Sequence, residues 1–208
     1  MDFIRRYRNE KVIKGFTVCL SVEKINAVDG DTYYNLILPE VIPQKFLDAV
    51  AECMLHMLDD KIKRSTRIVM PEEDIPVFSE FCRNVSLPVS PIYTDDRSLP
   101  DQICIYPYNV HKGSDAPRYC APLNAGEEVI IMRRLMSSGR TEVNISDALK
   151  RNGCHPSCVA SIYVIGKGIQ LVHHDVGHGE LGYARIEVAD NGLEVVKFHR
   201  NNSGRLYI

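Results

Sequence analysis

The chain has 208 residues, 25 Lys and Arg against 27 Asp and Glu, a formal net charge of −2, and 45% hydrophobic and 25% charged residues. This is the make-up of one globular domain, long enough to bury roughly 70% of its unfolded surface and to hold a core without disulfides or a structural metal. The near-neutral balance excludes the surplus of Lys and Arg that phosphate neutralisation along nucleic acid requires, and no apolar run approaches the roughly 20 residues of a bilayer span.

The opening MDFIRRYRNE is polar where a secretory signal would be apolar. Seven cysteines, an odd number, then read as reduced thiols in a cytoplasmic protein. Val12 to Val22 and Thr32 to Leu38 have the pattern of short strands. Pro43 to Leu58 carries apolar residues at Phe46, Leu47, Val50, Met54 and Met57, a helical spacing. Arg67 to Met70 reads as a short buried strand, Ile75 to Val85 as a helix and Val89 to Tyr93 as a strand. Asp95 to Leu123, with Pro100, Pro107, Pro117 and Pro122 and weak periodicity, is expected to be a functional loop or a hairpin. Alternation resumes with an apolar run from Glu127 to Met132, a turn at Ser137 to Thr141, a helix from Glu142 to Asn152 and a strand from Ser161 to Ile165. Tyr183 to Val188 and Leu193 to Phe198, flanking Asp190-Asn191-Gly192, predict a closing β-hairpin. Such alternation argues for an α/β fold: a mostly parallel twisted sheet with helices on both faces and a ligand crevice beyond the carboxyl ends of the strands.

Chemistry concentrates in residues 127–153. Apolar Val129 to Met132 lead into Ser137-Ser138-Gly139-Arg140-Thr141, which opens a helix. Free amides, the positive end of the helix dipole and three hydroxyls can converge there on one phosphate, with Gly139 letting the backbone approach closely. The same residues also suit a plain helix cap, because Ser and Thr are preferred N-caps. Local sequence leaves the two readings level.

VIIMRRLMSSGRT (129–141) resembles the phosphoribosyl-diphosphate motif of type I phosphoribosyltransferases, in which apolar residues lead through two acids into a T-T-G-x-T-like loop. IVMPEEDIPVFSEFCRNVSLPVSPIY resembles the pyrophosphate-loop strand, helix and following strand of that family, and ALKRNGCHPSCVASIYVIGKG the helix and strand after the motif. The tail LGYARIEVADNGLEVVKF is most like the adenine and hypoxanthine enzymes of archaeal type. The resemblance covers roughly residues 11–198. It implies a single domain with a core over about 40–170, a small hood from segments 10–38 and 170–208, and a homodimer.

Three departures from the family bear on activity. Arg133 and Arg134 stand where the family has the acids that hold the ribose hydroxyls and help organise magnesium-bound diphosphate. A guanidinium only donates hydrogen bonds and stays protonated, so it can neither ligate a cation nor accept from a hydroxyl. Glu72, Glu73 and Asp74 stand in the pyrophosphate loop, where small residues are expected and carboxylates repel the ligand. Tyr93-Thr94-Asp95 falls where the family has a cationic run. The resemblance implies that the two segments face each other across the crevice, so that Glu72, Glu73 or Asp74 can form ion pairs with Arg133 or Arg134 and fill the old site with protein.

The leading expectation is a catalytically impaired relative that binds the 5′-phosphate of a nucleotide or phosphoribosyl ligand through Ser137, Ser138, Gly139, Arg140 and Thr141. One rival is an active purine phosphoribosyltransferase with magnesium on Glu72, Glu73 and Asp74, and another is a non-enzymatic interaction module. Arg133 and Arg134 could also hold a further phosphate of a ligand with different anionic groups. Cys154 and Cys158 around His155, and the run His173-His174-Asp175 with His178, have residue types that zinc uses. The cysteines, however, also suit small buried positions.

Overall fold

A computed structural model describes residues 21–26, 32–37, 40–106, 116–136, 139–164, 182–189 and 192–200. Strand β1 (Ser21–Asn26) pairs antiparallel with β2 (Thr32–Ile37), Ser21 standing opposite Ile37. There follow α1 (Gln44–Ile62), β3 (Arg67–Pro71), a 3-10 segment (Glu72–Phe78), α2 (Ser79–Asn84), β4 (Val89–Tyr93), β5 (Ile103–Ile105) and β6 (Arg118–Cys120). The remainder is β7 (Glu128–Met136), α3 (Arg140–Arg151), β8 (His155–Val164), β9 (Gly182–Ala189) and β10 (Gly192–Arg200). The hood expected from 10–38 and 170–208 lies largely outside the described residues, and the His173-His174-Asp175 and His178 run wholly so.

The main sheet has eight strands in the order β10-β9-β8-β7-β3-β4-β6-β5. β4, β3, β7, β8 and β9 run parallel, while β5 and β6 on one side and β10 on the other pair antiparallel. The expected mostly parallel sheet with flanking helices and a C-terminal hairpin is therefore present. Its two faces carry separate cores. Phe46, Val50, Met54 and Leu58 of α1 pack with Phe78, Phe81, Ile68, Met70, Ile130, Met132, Ala160 and Ile162. On the opposite face Ile145, Ala148 and Leu149 of α3 pack with Val69, Ile92, Val129, Ile131 and Val159. The two-residue period of β3, β7 and β8 sends alternate side chains to the two cores, so the stretches Ile68–Met70, Val129–Met132 and Cys158–Ala160 read as unbroken apolar sequence.

Several elements differ from the sequence expectation. The helix expected from Ile75 to Val85 is a 3-10 segment followed by six residues of α2. Pro76 inside it offers no amide to continue an α-helical ladder, which favours the tighter turn. β8 starts at His155 rather than Ser161, and β7 runs on through both arginines to Met136. Asp95 to Leu123 contains the antiparallel pair β5–β6, the hairpin alternative.

The base of the sheet is tied by Arg67. Its Nε donates to Glu127 Oε2 at 2.7 Å, its Nη2 to Glu127 Oε1 at 3.3 Å and its Nη1 to Ser90 Oγ at 3.2 Å, joining β3 to β4 and to the approach to β7. Asn124 Nδ2 donates to the same carboxylate at 2.7 Å. Burial alone would raise the Glu127 carboxyl, but the hydrogen bonds from Arg67 and Asn124 hold it below its ordinary value. A carboxyl lowered in the folded state stabilises above its unfolded titration range and ceases to do so as pH falls through its folded value. Glu127→Gln should accordingly cost about 1–3 kcal/mol at pH 7 in urea denaturation. The gap to the parent should close as the pH is lowered through the carboxylate range, and a pH-independent gap would refute this assignment.

Candidate functional site in the crevice beyond β3 and β7

β3 and β7 are neighbours in the sheet, and their pairing ends at Val69 and Ile131. β3 stays paired with β4 through Pro71 and then passes into the 3-10 segment, while β7 continues beyond its pairing with β3. The backbone of Arg134 then needs a new acceptor, because a buried amide left unpaired is costly. Asp74 supplies it: the Arg134 amide donates to Asp74 Oδ2 at 3.1 Å, and Arg134 Nε lies 3.3 Å from Asp74 Oδ1. Arg133 Nε lies 4.0 Å from Asp74 Oδ2 and 3.2 Å from Glu142 Oε1 in the first turn of α3.

Both carboxylates are deeply buried, Asp74 at 2% and Glu142 at 2% exposure, whereas Arg133 and Arg134 keep 17% and 24% of their side chains open. Burial pushes the Asp74 carboxyl up, against the pull of Arg133, Arg134 and the Arg134 amide. Burial likewise raises Glu142, opposed by the Arg133 guanidinium and its own backbone amide. Ser161 stands opposite Arg133 in the β7–β8 register, and Ser146 lies one turn after Glu142 on α3. Both hydroxyls are buried without a hydrogen-bond partner among the described residues. Polar groups thus extend inward from the arginines between α3 and the sheet.

The pairing expected between the acidic turn and the arginines is present, and Asp74 makes it. Glu72 turns elsewhere: its Oε2 lies 3.5 Å from Arg97 Nη2, and its Oε1 accepts from Thr94 Oγ1 at 3.4 Å. Arg97 also lies 3.4 Å from Asp95 and stacks over the Tyr93 ring at 4.9 Å, so a cation does stand beside Tyr93-Thr94-Asp95. Glu73 is exposed. Sequence reasoning missed Arg97 and Glu142. Glu142 could have been suspected as an acid in the first helical turn, where the dipole favours it, nine positions after a cation that its strand would bury.

Ser137 and Ser138 lie outside the described residues. Gly139 is the N-cap of α3, with φ 79° and no side-chain hydrogen bond capping the helix. That backbone lies in the left-handed region which glycine enters without strain, so the glycine is required and the Ser/Thr cap is not what starts the helix. α3 begins at Arg140, two residues before the sequence expectation, with Arg140 exposed and Thr141 at 9% exposure.

Magnesium, which the resemblance implies for an active enzyme, takes oxygen ligands. The residues present do not fit it: Asp74 and Glu142 are turned to guanidiniums and Glu72 to Arg97. Among the described residues no group of three or more His, Cys, Asp or Glu is placed to hold a metal. Cys154 and Cys158 are not brought together for zinc. Cys154 belongs to the core under α3 and Cys158 to the core under α1, on opposite faces of the sheet. Burial pushes the thiols of Cys53 and Cys120 up to about 12 and that of Cys82 to about 11, which leaves no activated nucleophile among these three.

Two substitutions probe the cluster. Asp74→Ala strands two partly buried guanidiniums and the Arg134 amide, and should cost about 3 kcal/mol in urea denaturation at pH 7. Glu142→Gln should behave differently. A carboxyl raised in the folded state contributes stability below its unfolded titration range and loses it as pH rises through the folded value. The glutamine variant should therefore match the parent in acid and equal or exceed its stability near pH 7; lower stability near pH 7 would show that pairing outweighs burial.

No family model matches the chain. Curated relatives do. The chain is 24% identical over 157 residues to a hypoxanthine/guanine phosphoribosyltransferase of Methanocaldococcus jannaschii, covering 75% of this chain and 84% of the relative. It is 25% identical over 183 residues to that of Methanococcus vannielii, covering 85% and 96%. Among solved structures, adenine phosphoribosyltransferase from Rhodothermus marinus superposes with a TM-score of 0.60 at 12% identity, covering 84% of this chain and 98% of that one. No helix among the described residues is long and apolar enough to cross a membrane. The chain has the type I phosphoribosyltransferase fold, and its sequence is similar to the archaeal purine enzymes of that family.

Proposed function

We propose that the chain is a phosphoribosyltransferase-like protein of the purine-salvage type that binds the 5′-phosphate of a nucleotide or phosphoribosyl ligand and no longer transfers the sugar. The observation that carries this reading is the Asp74–Arg133–Arg134–Glu142 cluster. It puts guanidiniums where a magnesium diphosphate would need acceptors, and turns the two buried carboxylates to those guanidiniums. Organising a diphosphate leaving group through a metal requires oxygen ligands at the crevice. Removing those ligands removes the grip on the leaving group while leaving the start of α3 intact.

Phosphate recognition rests on different features. The left-handed Gly139 allows close backbone approach, α3 presents the positive end of its dipole, and exposed Arg140 adds a cation at the same place. Ser137, Ser138 and Thr141 would add hydroxyl donors. A twofold homodimer is part of the same reading and is checked by sedimentation.

Calorimetric titration separates the alternatives. AMP, IMP or GMP should bind, while phosphoribosyl diphosphate with magnesium should bind no more tightly than without it and should give no nucleotide with adenine, hypoxanthine or guanine. Magnesium-dependent donor binding with turnover would establish the active enzyme instead, and silence from every ligand would leave an interaction module.

A further inference from the structure

Arg134 is anchored at both ends by one buried group. Its amide and its Nε both engage Asp74, at 3.1 and 3.3 Å, and Asp74 is 2% exposed. The guanidinium therefore has a fixed root and a fixed inner edge, yet 24% of the side chain stays open. Guanidinium offers five N–H donors in a planar fork. Asp74 takes the Nε edge, and no hydrogen bond to the Nη groups is found among the described residues.

Arg133 stands next to it with 17% of its side chain open and is held by Glu142. Both arginines occupy the last turns of β7 before the chain passes to Gly139 and exposed Arg140 at the start of α3. The carboxylates of this cluster are buried more deeply than the arginine side chains, so a ligand in the crevice meets donors before acceptors. Glu72, the first residue of the 3-10 segment, is drawn off by Arg97 and Thr94, and Glu73 is exposed.

We infer that the ligand of this crevice carries a second anionic group, a phosphate or carboxylate in addition to its 5′-phosphate, and that Arg134 backed by Asp74 receives it directly without a divalent cation. The inference rests on the 5′-phosphate reading above and adds the class of ligand. A preoriented guanidinium suits such a group because the fork matches two oxygens at once and little side-chain freedom is left to lose on binding.

The experiment compares AMP, IMP and GMP with adenosine, inosine and guanosine 3′,5′-bisphosphates by calorimetry on the full chain in EDTA. The bisphosphate of the preferred base should bind roughly tenfold or more tightly than its monophosphate, as one charge-assisted contact allows. Arg134→Gln should bring that ratio towards one, and Asp74→Asn, which keeps an acceptor for the Arg134 amide but loses the charged hold that orients the guanidinium, should narrow it. Monophosphate binding with equal bisphosphate affinity overturns this inference and leaves the 5′-phosphate reading standing. A ratio that neither variant moves also overturns it, and should Arg134→Gln fail to fold, the Asp74→Asn ratio alone decides. If no nucleotide binds, both readings fall together.

Discussion

The crevice depends on one carboxylate standing in for a missing strand. β3 stops pairing with β7 at Val69, since the chain turns away after Pro71, yet β7 is extended for several residues more. An amide beyond the end of the neighbouring strand must find water or a side chain. The 3-10 segment brings Asp74 back over the gap, and its Oδ2 accepts from Arg134 as a strand carbonyl would. The same carboxylate answers the charge of Arg134 and lies within reach of Arg133. Backbone continuity, burial and charge balance at this point rest on a single side chain.

Electrostatic economy explains the partners. Two partly buried guanidiniums would be costly alone, and two deeply buried carboxylates more so. Together they are neutral, but the acids are buried more completely than the bases, and this asymmetry shows in the raised carboxyls of Asp74 and Glu142. The pairing makes the cluster tolerable and adds little net stability, the usual outcome when desolvation offsets attraction. Its effect is on chemistry: it decides that this end of the crevice presents hydrogen-bond donors.

How much of this was legible beforehand differs by kind of information. Periodicity located α1, β3, β4, β7 and the closing hairpin, because each depends on burying one face or two, which local sequence records directly. It misjudged Ile75 to Val85, where apolar spacing argued for a helix while Pro76 denied the amide the helix needed. It also placed the start of β8 six residues late, because His155, Pro156 and Ser157 at the strand's entrance lack the apolar signature of its interior. In the crevice, the charge reversal at Arg133 and Arg134 and the facing acids of 72–74 were readable from residue types alone. Which acid answers which arginine was not. Asp74 was selected by the end of the β3–β7 ladder, and Glu142 by the helical turn that points it inward, both properties of three-dimensional packing. Cys154 and Cys158 make the same point in reverse: a metal-like spacing in sequence is divided between two faces of the sheet.

A fold fixes where a crevice lies, at the carboxyl ends of its parallel strands, and leaves open what the crevice recognises. Here the sheet keeps β3 and β7 adjacent, keeps their ends at the crevice and keeps a glycine in the left-handed region at the head of α3. What differs from the motif that residues 129–141 resemble is the sign and the hydrogen-bonding sense of the groups between those landmarks. Carboxylates accept and can share a cation with a phosphorylated ligand; guanidiniums donate and must meet the ligand's oxygens themselves. In the function proposed above, the same scaffold serves a site that meets its anion without a metal, and the difference requires only two side chains on β7 and the buried acids that keep them there.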